Sequence, residues 1–186
     1  MAIILEKIKP CLQQSSRSFE DMSGFLLVNV NVENPKPSKP YFHKKNIPYS
    51  INETAYPVTI NLQLRGDLLE EVDGVIISNI TFLINKLRLT DSTFENQISK
   101  GFPIFKLKDQ CDEFNVLDKM SKINYLLKNN SLYCLFSDDI YPDVYGQSVE
   151  YTDDLIVLLD FNKDIVGFHL CNLTEEELSL LKIFIK

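Results

Sequence analysis

Two histidines, His43 and His169, are the side chains of this 186-residue chain that could act as a base near neutral pH. His43 lies beside two lysines in a proline-rich stretch, and His169 lies between Phe168 and Leu170 in a predicted strand. A histidine in that position is more often structural than catalytic. The chain also contains no Gly-x-Ser-x-Gly elbow, no P-loop and no His-Glu-x-x-His motif. We therefore predict a protein that is not an enzyme, and we assign no catalytic residue.

Calcium binding is the next chemistry to weigh, because three oxygen-bearing side chains recur at alternate positions near the C-terminus. Asp160, Asn162 and Asp164 match the first three ligand positions of an EF-hand loop. Ile165, however, stands where that loop needs glycine, and Cys171 stands where it needs a bidentate glutamate. The stretch therefore predicts a hairpin turn rather than a calcium site.

Other carboxylate pairs and the cysteines give only weak signs of a metal site. Asp138-Asp139 with Asp143, or Asp153-Asp154, could hold Mg²⁺, but no histidine or fixed ligand spacing accompanies them. The four cysteines form no Cys-x-x-Cys pair, so the common zinc pattern is missing. We predict neither metal nor cofactor, and a reduced, cytoplasmic protein without a signal peptide or membrane span. A carboxylate-metal hydrolase or nuclease stays an alternative.

The strongest compositional feature is the stretch 129–162, called the acidic segment below. It holds seven carboxylates and four tyrosines, and it contains no Lys, Arg or His. Residues 129–186 carry a net charge of −8, whereas residues 1–128 carry +1. Clustered carboxylates repel one another, and a cationic partner would relieve that repulsion and be steered in by the field. The same charge argues against nucleic acid as a ligand, because its phosphates would be repelled.

This pattern predicts a surface that binds a basic protein. The tyrosines would add rigid, amphipathic contact area among the acids. The residues that we assign to the partner-binding surface are Asp138, Asp139, Tyr141, Asp143, Tyr145, Glu150, Tyr151, Asp153 and Asp154. In the alternative interpretation the tyrosines belong to the core and the acids only keep the protein in solution.

The chain resembles bacterial immunity proteins, the cytosolic antidotes to polymorphic toxins such as those of contact-dependent growth inhibition. The shared features are modest size, acidity, the lack of catalytic motifs, and the run from Asp138-Asp139-Ile140-Tyr141 to Tyr151-Thr152-Asp153-Asp154. Such proteins bind one toxin tightly and block its active site, often the basic groove of a nuclease. The resemblance, at the level of class, implies a non-enzymatic inhibitor whose acidic segment replaces nucleic-acid phosphates. A structural or adaptor subunit is a further alternative.

Several elements must position these residues. Alternating or continuous apolar runs predict strands, and the ranges are 25–32, 58–64, 104–107, 132–136, 155–161 and 165–170. Helical spacing predicts helices over 67–87 and 112–128, although β-branched residues after Gly74 leave two strands open as an alternative to the first. Thr174 and Glu177 have the spacing of a capping box and predict a final helix.

Two stretches have weaker periodicity. Residues 3–22 fit either a short helix or an irregular lead-in, because Pro10 interrupts a helical stripe. Residues 34–57 contain five prolines and predict a long loop. Together the elements predict one α+β domain over residues 1–186, with a largely antiparallel sheet and two to four helices.

Overall fold

The structure is a computed structural model. It describes residues 3–10, 13–33, 46–51, 58–64, 75–91, 97–107, 115–117, 123–136 and 147–186. These residues form β1 (Ile3–Lys9), β2 (Ser15–Asp21), β3 (Leu26–Val32), β4 (Asn46–Ile51), β5 (Val58–Leu64), β6 (Val75–Ile84), β7 (Arg88–Leu89), β8 (Ile98–Lys100), β9 (Phe102–Leu107), β10 (Asn115–Leu117), β11 (Ile123–Lys128), β12 (Ser131–Phe136), β13 (Gln147–Thr152), β14 (Leu155–Leu159), β15 (Ile165–Leu170) and the helix α1 (Glu175–Lys182).

The strands make two sheets. Sheet A has the order β1-β9-β6-β5-β4-β10, and β3 also pairs with β6 and carries β2 at its other side. Sheet B has the order β7-β11-β12-β15-β14-β13-β8. The parallel pairs are β4–β10, β7–β11 and β8–β13, and each places a short strand at a sheet edge. Antiparallel ladders therefore form the centre of both sheets.

Aromatic side chains from the two sheets meet in a shared apolar core. Phe82 of sheet A and Phe168 of sheet B are fully buried, and their ring centroids lie 6.1 Å apart. Phe102 and Tyr151 make a second contact between the sheets, edge to face, at 5.7 Å. Such pairs add about 0.5–1.5 kcal/mol each beyond the burial of their area. The contacts hold sheet B, which carries much of the acidic segment, against sheet A.

Sheet B also buries apolar side chains on its other face. A second cluster there consists of Leu126, Tyr133, Leu135, Ile156 and Leu158. The central strands β12 and β14 therefore bury residues on both sides. That explains why their sequences are continuous apolar runs rather than alternating ones.

Gly101 forms the corner at which the chain leaves sheet B for sheet A. Its φ is +145°, a conformation that L side chains rarely adopt. A Cβ at this position would lie 2.3 Å from the carbonyl oxygen of Lys9. The N–H of Gly101 donates to the Glu150 carbonyl at 3.1 Å. Glycine is therefore required for β9 to follow β8 directly.

The predicted α+β class is wrong, because the described residues are mostly strand and include one helix. Residues 75–84, predicted as part of a helix, form β6, where β-branched side chains suit a pleated surface. Residues 115–117 and 123–128, predicted as parts of one helix, form β10 and β11. Tyr125 and Leu127 face the core shared by the sheets while Leu126 faces the second cluster, and this two-sided burial needs a strand.

Two further stretches also differ from the prediction. Residues 3–9 and 15–21 are strands rather than a helix or an irregular lead-in. The predicted loop at 34–57 contains β4, which pairs with β5. The rest of that loop, including His43, lies outside the described residues.

The remaining strand predictions are confirmed, with small shifts at the ends. β14 ends at Leu159, and Phe161, predicted within the strand, is 74% exposed in the turn. β14 and β15 form the predicted antiparallel hairpin. Asp160 Oδ1 accepts hydrogen bonds from the N–H groups of Asn162 and Asp164, both at 2.8 Å, so the calcium-like spacing forms a turn.

The final helix is confirmed together with its capping box. Thr174 Oγ1 accepts a hydrogen bond from the Glu177 N–H at 3.2 Å. Glu177 Oε2 accepts one from the Thr174 N–H at 2.7 Å. Leu178 and Leu181 are buried, so α1 packs its apolar side onto the core and exposes its first turn.

Candidate functional site

The predicted partner-binding residues divide into two groups. Five of them, Asp138, Asp139, Tyr141, Asp143 and Tyr145, lie in the stretch 137–146, outside the described residues. The other four are on β13 and on the turn between β13 and β14, and the structure places each of them.

Tyr151 is a core residue and does not reach the surface. Its side chain is fully buried, and its hydroxyl donates to the Ile77 carbonyl at 2.8 Å. Its assignment to the binding surface is therefore corrected. Tyr133, another tyrosine of the acidic segment, is also buried. Tyr151 and Tyr133 are therefore core residues, as the alternative interpretation predicts.

Glu150 is partly buried and has a cationic partner. Its Oε1 accepts a hydrogen bond from Lys100 Nζ at 2.8 Å. This hydrogen bond and the negative charge of Glu150 raise the pKa of Lys100. Lys100 lies on β8, which pairs with β13 in parallel register and places these two residues side by side. The acidic segment alone gives no sign of this pair, because Lys100 lies outside it in the sequence.

Asp153 and Asp154 form the turn between β13 and β14. Asp153 is exposed, and Asp154 is partly exposed. The side-chain amide of Asn172 donates to the Asp153 carbonyl at 3.1 Å and lies 3.5 Å from Asp154 Oδ1. The turn is therefore fixed to the segment that leads into α1.

The first turn of α1 brings three more carboxylates to this end of the molecule. Glu175 and Glu176 are exposed, and Glu177 is partly buried. Acidic residues here complement the partial positive charge of the helix N-terminus. The sequence pattern predicts a capping role for Glu177 and no role for Glu175 or Glu176. Their acidity is visible in the sequence, but the link between their helical turn and Asp154, which Arg17 makes through Glu177, depends on the tertiary fold.

Arg17 on β2 joins these parts. Its Nε and Nη2 donate to Glu177 Oε1 and Oε2 at 2.6 and 2.9 Å. Its Nη1 donates to the Cys171 carbonyl at 2.7 Å, and Nη2 donates to the Asn172 carbonyl at 2.6 Å. Nη1 also lies 3.9 Å from Asp154 Oδ1. The guanidinium thus holds a carboxylate of α1 and the end of β15 at fixed positions.

We call Asp153, Asp154, Glu175, Glu176 and Glu177 the acidic surface. Burial alone would raise the pKa of Glu177, but hydrogen bonds from Arg17 and Thr174, together with the charge of Arg17, outweigh burial and lower it. Glu177 is therefore ionised at neutral pH. Arg17 contacts two of these five carboxylates, Asp154 and Glu177. Lys100 is a second basic group within the electrostatic reach of Asp153. Five acids against two bases still leave the acidic surface with net negative charge.

A second polar group lies on the far face of sheet B. His169 stacks on Tyr133 with ring centroids 4.0 Å apart, and its Nε2 lies 3.5 Å from Cys171 Sγ. Burial lowers the pKa of His169 to about 4 and raises the pKa of Cys171 to about 11. A neutral imidazole beside a neutral thiol differs from the imidazolium–thiolate pair that activates a cysteine nucleophile. The pair fits a structural role.

Comparison with known proteins assigns no family. No protein-family model matches the chain, and no curated protein matches it significantly. In the part of the chain that the structure covers, no group of three or more His, Cys, Asp or Glu side chains is arranged to hold a metal ion. Within the same ranges no helix has the length and apolarity needed to cross a membrane.

The burial of Tyr151 leads to a first prediction. Tyr151→Phe is expected to lower the free energy of unfolding by about 1–2 kcal/mol, because the Ile77 carbonyl loses a buried hydrogen bond while the ring stays in place. Urea unfolding measures the change. Ser18→Ala, on an exposed position of β2, serves as the control and should stay within about 0.5 kcal/mol of the wild type. Unchanged stability in Tyr151→Phe would contradict the buried hydrogen bond.

Proposed function

We propose that this protein is a non-enzymatic, cytoplasmic inhibitor of the immunity type, which binds a basic toxin domain, such as a nuclease, through the acidic surface. The observation that carries the proposal is the convergence of the β13–β14 turn and the first turn of α1 around Arg17. Asp153 belongs to this β13–β14 turn and Glu175 and Glu176 to this turn of α1, and all three are exposed.

The contacts around Arg17 favour a surface that is formed before the partner arrives. Arg17, Asn172 and the capping box hold the backbone beneath the carboxylates through hydrogen bonds of 2.6–3.2 Å. A preformed surface loses less conformational entropy on binding. Its net negative charge would steer a cationic protein and raise the association rate. Both properties suit an inhibitor that must capture a toxin quickly.

The carboxylate-metal alternative has less support. Asp154 and Glu177 both contact Arg17, and a bound cation would have to compete with that guanidinium. Glu150 is likewise paired with Lys100. The described carboxylates are therefore better suited to face a partner's lysines and arginines than to enclose a metal ion.

Affinity capture from the native host tests the proposal. The bait is the wild-type protein, and Asp153→Lys/Glu176→Lys is the charge-reversed variant. Glu6→Lys/Asp91→Lys is the matched control, since both control residues are exposed and the net charge changes equally. We expect the wild type and the control to retain a basic protein that the charge-reversed variant releases. Capture of the same protein by all three would refute the assignment of the acidic surface.

A further inference from the structure

Strand β2 is an outermost strand of sheet A. It pairs with β3 over seven residues, Ser15 to Asp21, without a register shift. Among the strands of the described ranges it has no other partner. Exposed edges are usually protected by lysine, proline, a bulge or a short strand. β2 contains no lysine and no proline, and its ladder is regular, so it lacks these four protections. An inward-facing charge and the packing of α1 protect the strand at Arg17. The edge is therefore least protected from Arg17 onwards, towards Asp21.

Hydrogen bonds at both ends of the β2–β3 hairpin show which residues face β3. The Met22 N–H donates to the Phe25 carbonyl at 2.9 Å, and the Glu33 N–H donates to the Gln14 carbonyl at 2.8 Å. In an antiparallel pair the bonded residues alternate along each strand. The even-numbered residues of β2 therefore bond to β3.

The odd-numbered residues direct their backbone groups away from β3. Gln13, just before β2, shows this directly, because its N–H donates outward to the Tyr151 carbonyl at 3.4 Å. By the same alternation, Arg17, Phe19 and Asp21 each present one N–H and one C=O at the open edge. The edge can accept a further strand over these residues.

The charges along this edge favour a cationic strand. Glu20 and Asp21 are exposed at its C-terminal end. Near its middle, Arg17 is bound by Glu177 and lies 3.9 Å from Asp154 of the acidic surface. A second copy of this chain would bring the same acids against themselves, and each copy carries a net charge of −7. Self-pairing is therefore disfavoured.

We propose that β2 binds an extended segment of the partner, rich in Lys and Arg, by strand addition along Arg17, Phe19 and Asp21. Backbone hydrogen bonds would supply affinity, and basic side chains beside Glu20 and the acidic surface would supply specificity. The inference that the partner segment is basic depends on the proposed function. The inference that the edge is open depends only on the hydrogen-bond pattern of the β2–β3 ladder.

Residue-resolved amide exchange tests this inference. In the free protein, the amides of Arg17, Phe19 and Asp21 should exchange much faster than those of Ser16, Ser18 and Glu20, which bond to β3. The probe is a capped heptapeptide that alternates Lys and Val, and a matched peptide that alternates Glu and Val is the control. We expect the lysine peptide alone to slow the three outward amides by about tenfold or more.

A pair of variants isolates the backbone contribution. Asp21→Pro removes one outward N–H, whereas Asp21→Ala removes the same carboxylate and keeps that N–H. The lysine peptide should bind the alanine variant more tightly. The inference is overturned if the outward amides are already protected in the free protein, if the peptide protects none of them, or if both variants bind equally.

This result is independent of the capture experiment. An open edge that binds the lysine peptide, together with no basic protein captured from the host, would refute the proposed function alone. Protected outward amides, together with selective capture by the acidic surface, would refute strand addition alone. Protection that grows with protein concentration and without peptide would identify a second copy as the occupant, and would also overturn the inference.

Discussion

Arg17→Met is expected to lower the free energy of unfolding by about 2–3 kcal/mol, which lies between the cost of breaking a buried ion pair from one side and that of losing an exposed one. The side chains of Arg17 and Glu177 are only 11% and 15% exposed. Methionine keeps the apolar stem but leaves the Glu177 carboxylate and two backbone carbonyls without their donor. Urea unfolding at neutral pH measures the loss.

Two further variants show whether the pair itself is responsible. Arg17→Lys should recover only part of the stability, because an ammonium cannot reproduce the bidentate contact. Adding Glu177→Gln to Arg17→Met should cost less than the sum of the single changes, since no buried charge is then left unpaired. A loss below about 1 kcal/mol in Arg17→Met would show that the guanidinium does not hold the acidic surface together.

Acid is expected to destabilise the protein through His169. Burial lowers the folded-state pKa of His169 to about 4 from its ordinary value of 6.5, so the unfolded chain binds this proton first as the pH falls. The stability that the neutral imidazole provides is complete above pH 6.5 and is lost progressively between pH 6.5 and 4. The full loss is on the order of 3 kcal/mol. Unfolding free energies measured across this range would show it.

His169→Phe is the matched variant for the acid prediction. Phenylalanine can keep a ring stacked on Tyr133 but cannot take up a proton. The wild type should therefore lose stability more steeply than His169→Phe between pH 6.5 and 4, while carboxylates contribute equally to both. Parallel curves for the two proteins would contradict the burial of a neutral His169.

Strand positions were predictable where one physical cue dominated. Residues 26–32 alternate cleanly and form β3, because one face of that strand is buried and the other is not. The final helix was predictable because Thr174 and Glu177 specify its start locally. In both cases the local pattern and the tertiary environment favour the same structure.

Helix predictions failed where burial occurs on two sides. Residues 123–128 place apolar side chains at spacings that also suit a helix, yet Leu126 and Leu127 enter different clusters. The pairing of β5 with β6 shifts register between Asn61 and Leu62, which marks a bulge. The alternation of buried and less buried residues along β6 is therefore offset by one position across the bulge. A bulged, β-branched strand then mimics helical spacing in the sequence.

The candidate site was only partly visible in the sequence. Asp153 and Asp154 were identified from charge clustering, and the fold keeps them at the surface. Arg17 was missed because it is far from the acidic segment in sequence, and only the tertiary fold brings it into contact with Asp154 and Glu177. Tyr151 was misassigned because a hydroxyl near acids gives no sign of burial. Pairing between distant strands decides these placements.

The salt dependence of partner binding tests most sharply whether the acidic surface binds a basic protein. With the basic protein captured from the host, Kd is measured for the wild type and for Asp153→Lys/Glu176→Lys at about 50 and about 500 mM salt. We expect Kd for the wild type to rise by about tenfold or more, and the variant to bind weakly with little salt dependence. A wild-type Kd that is independent of salt, or equal Kd values for the two proteins, would contradict the claim.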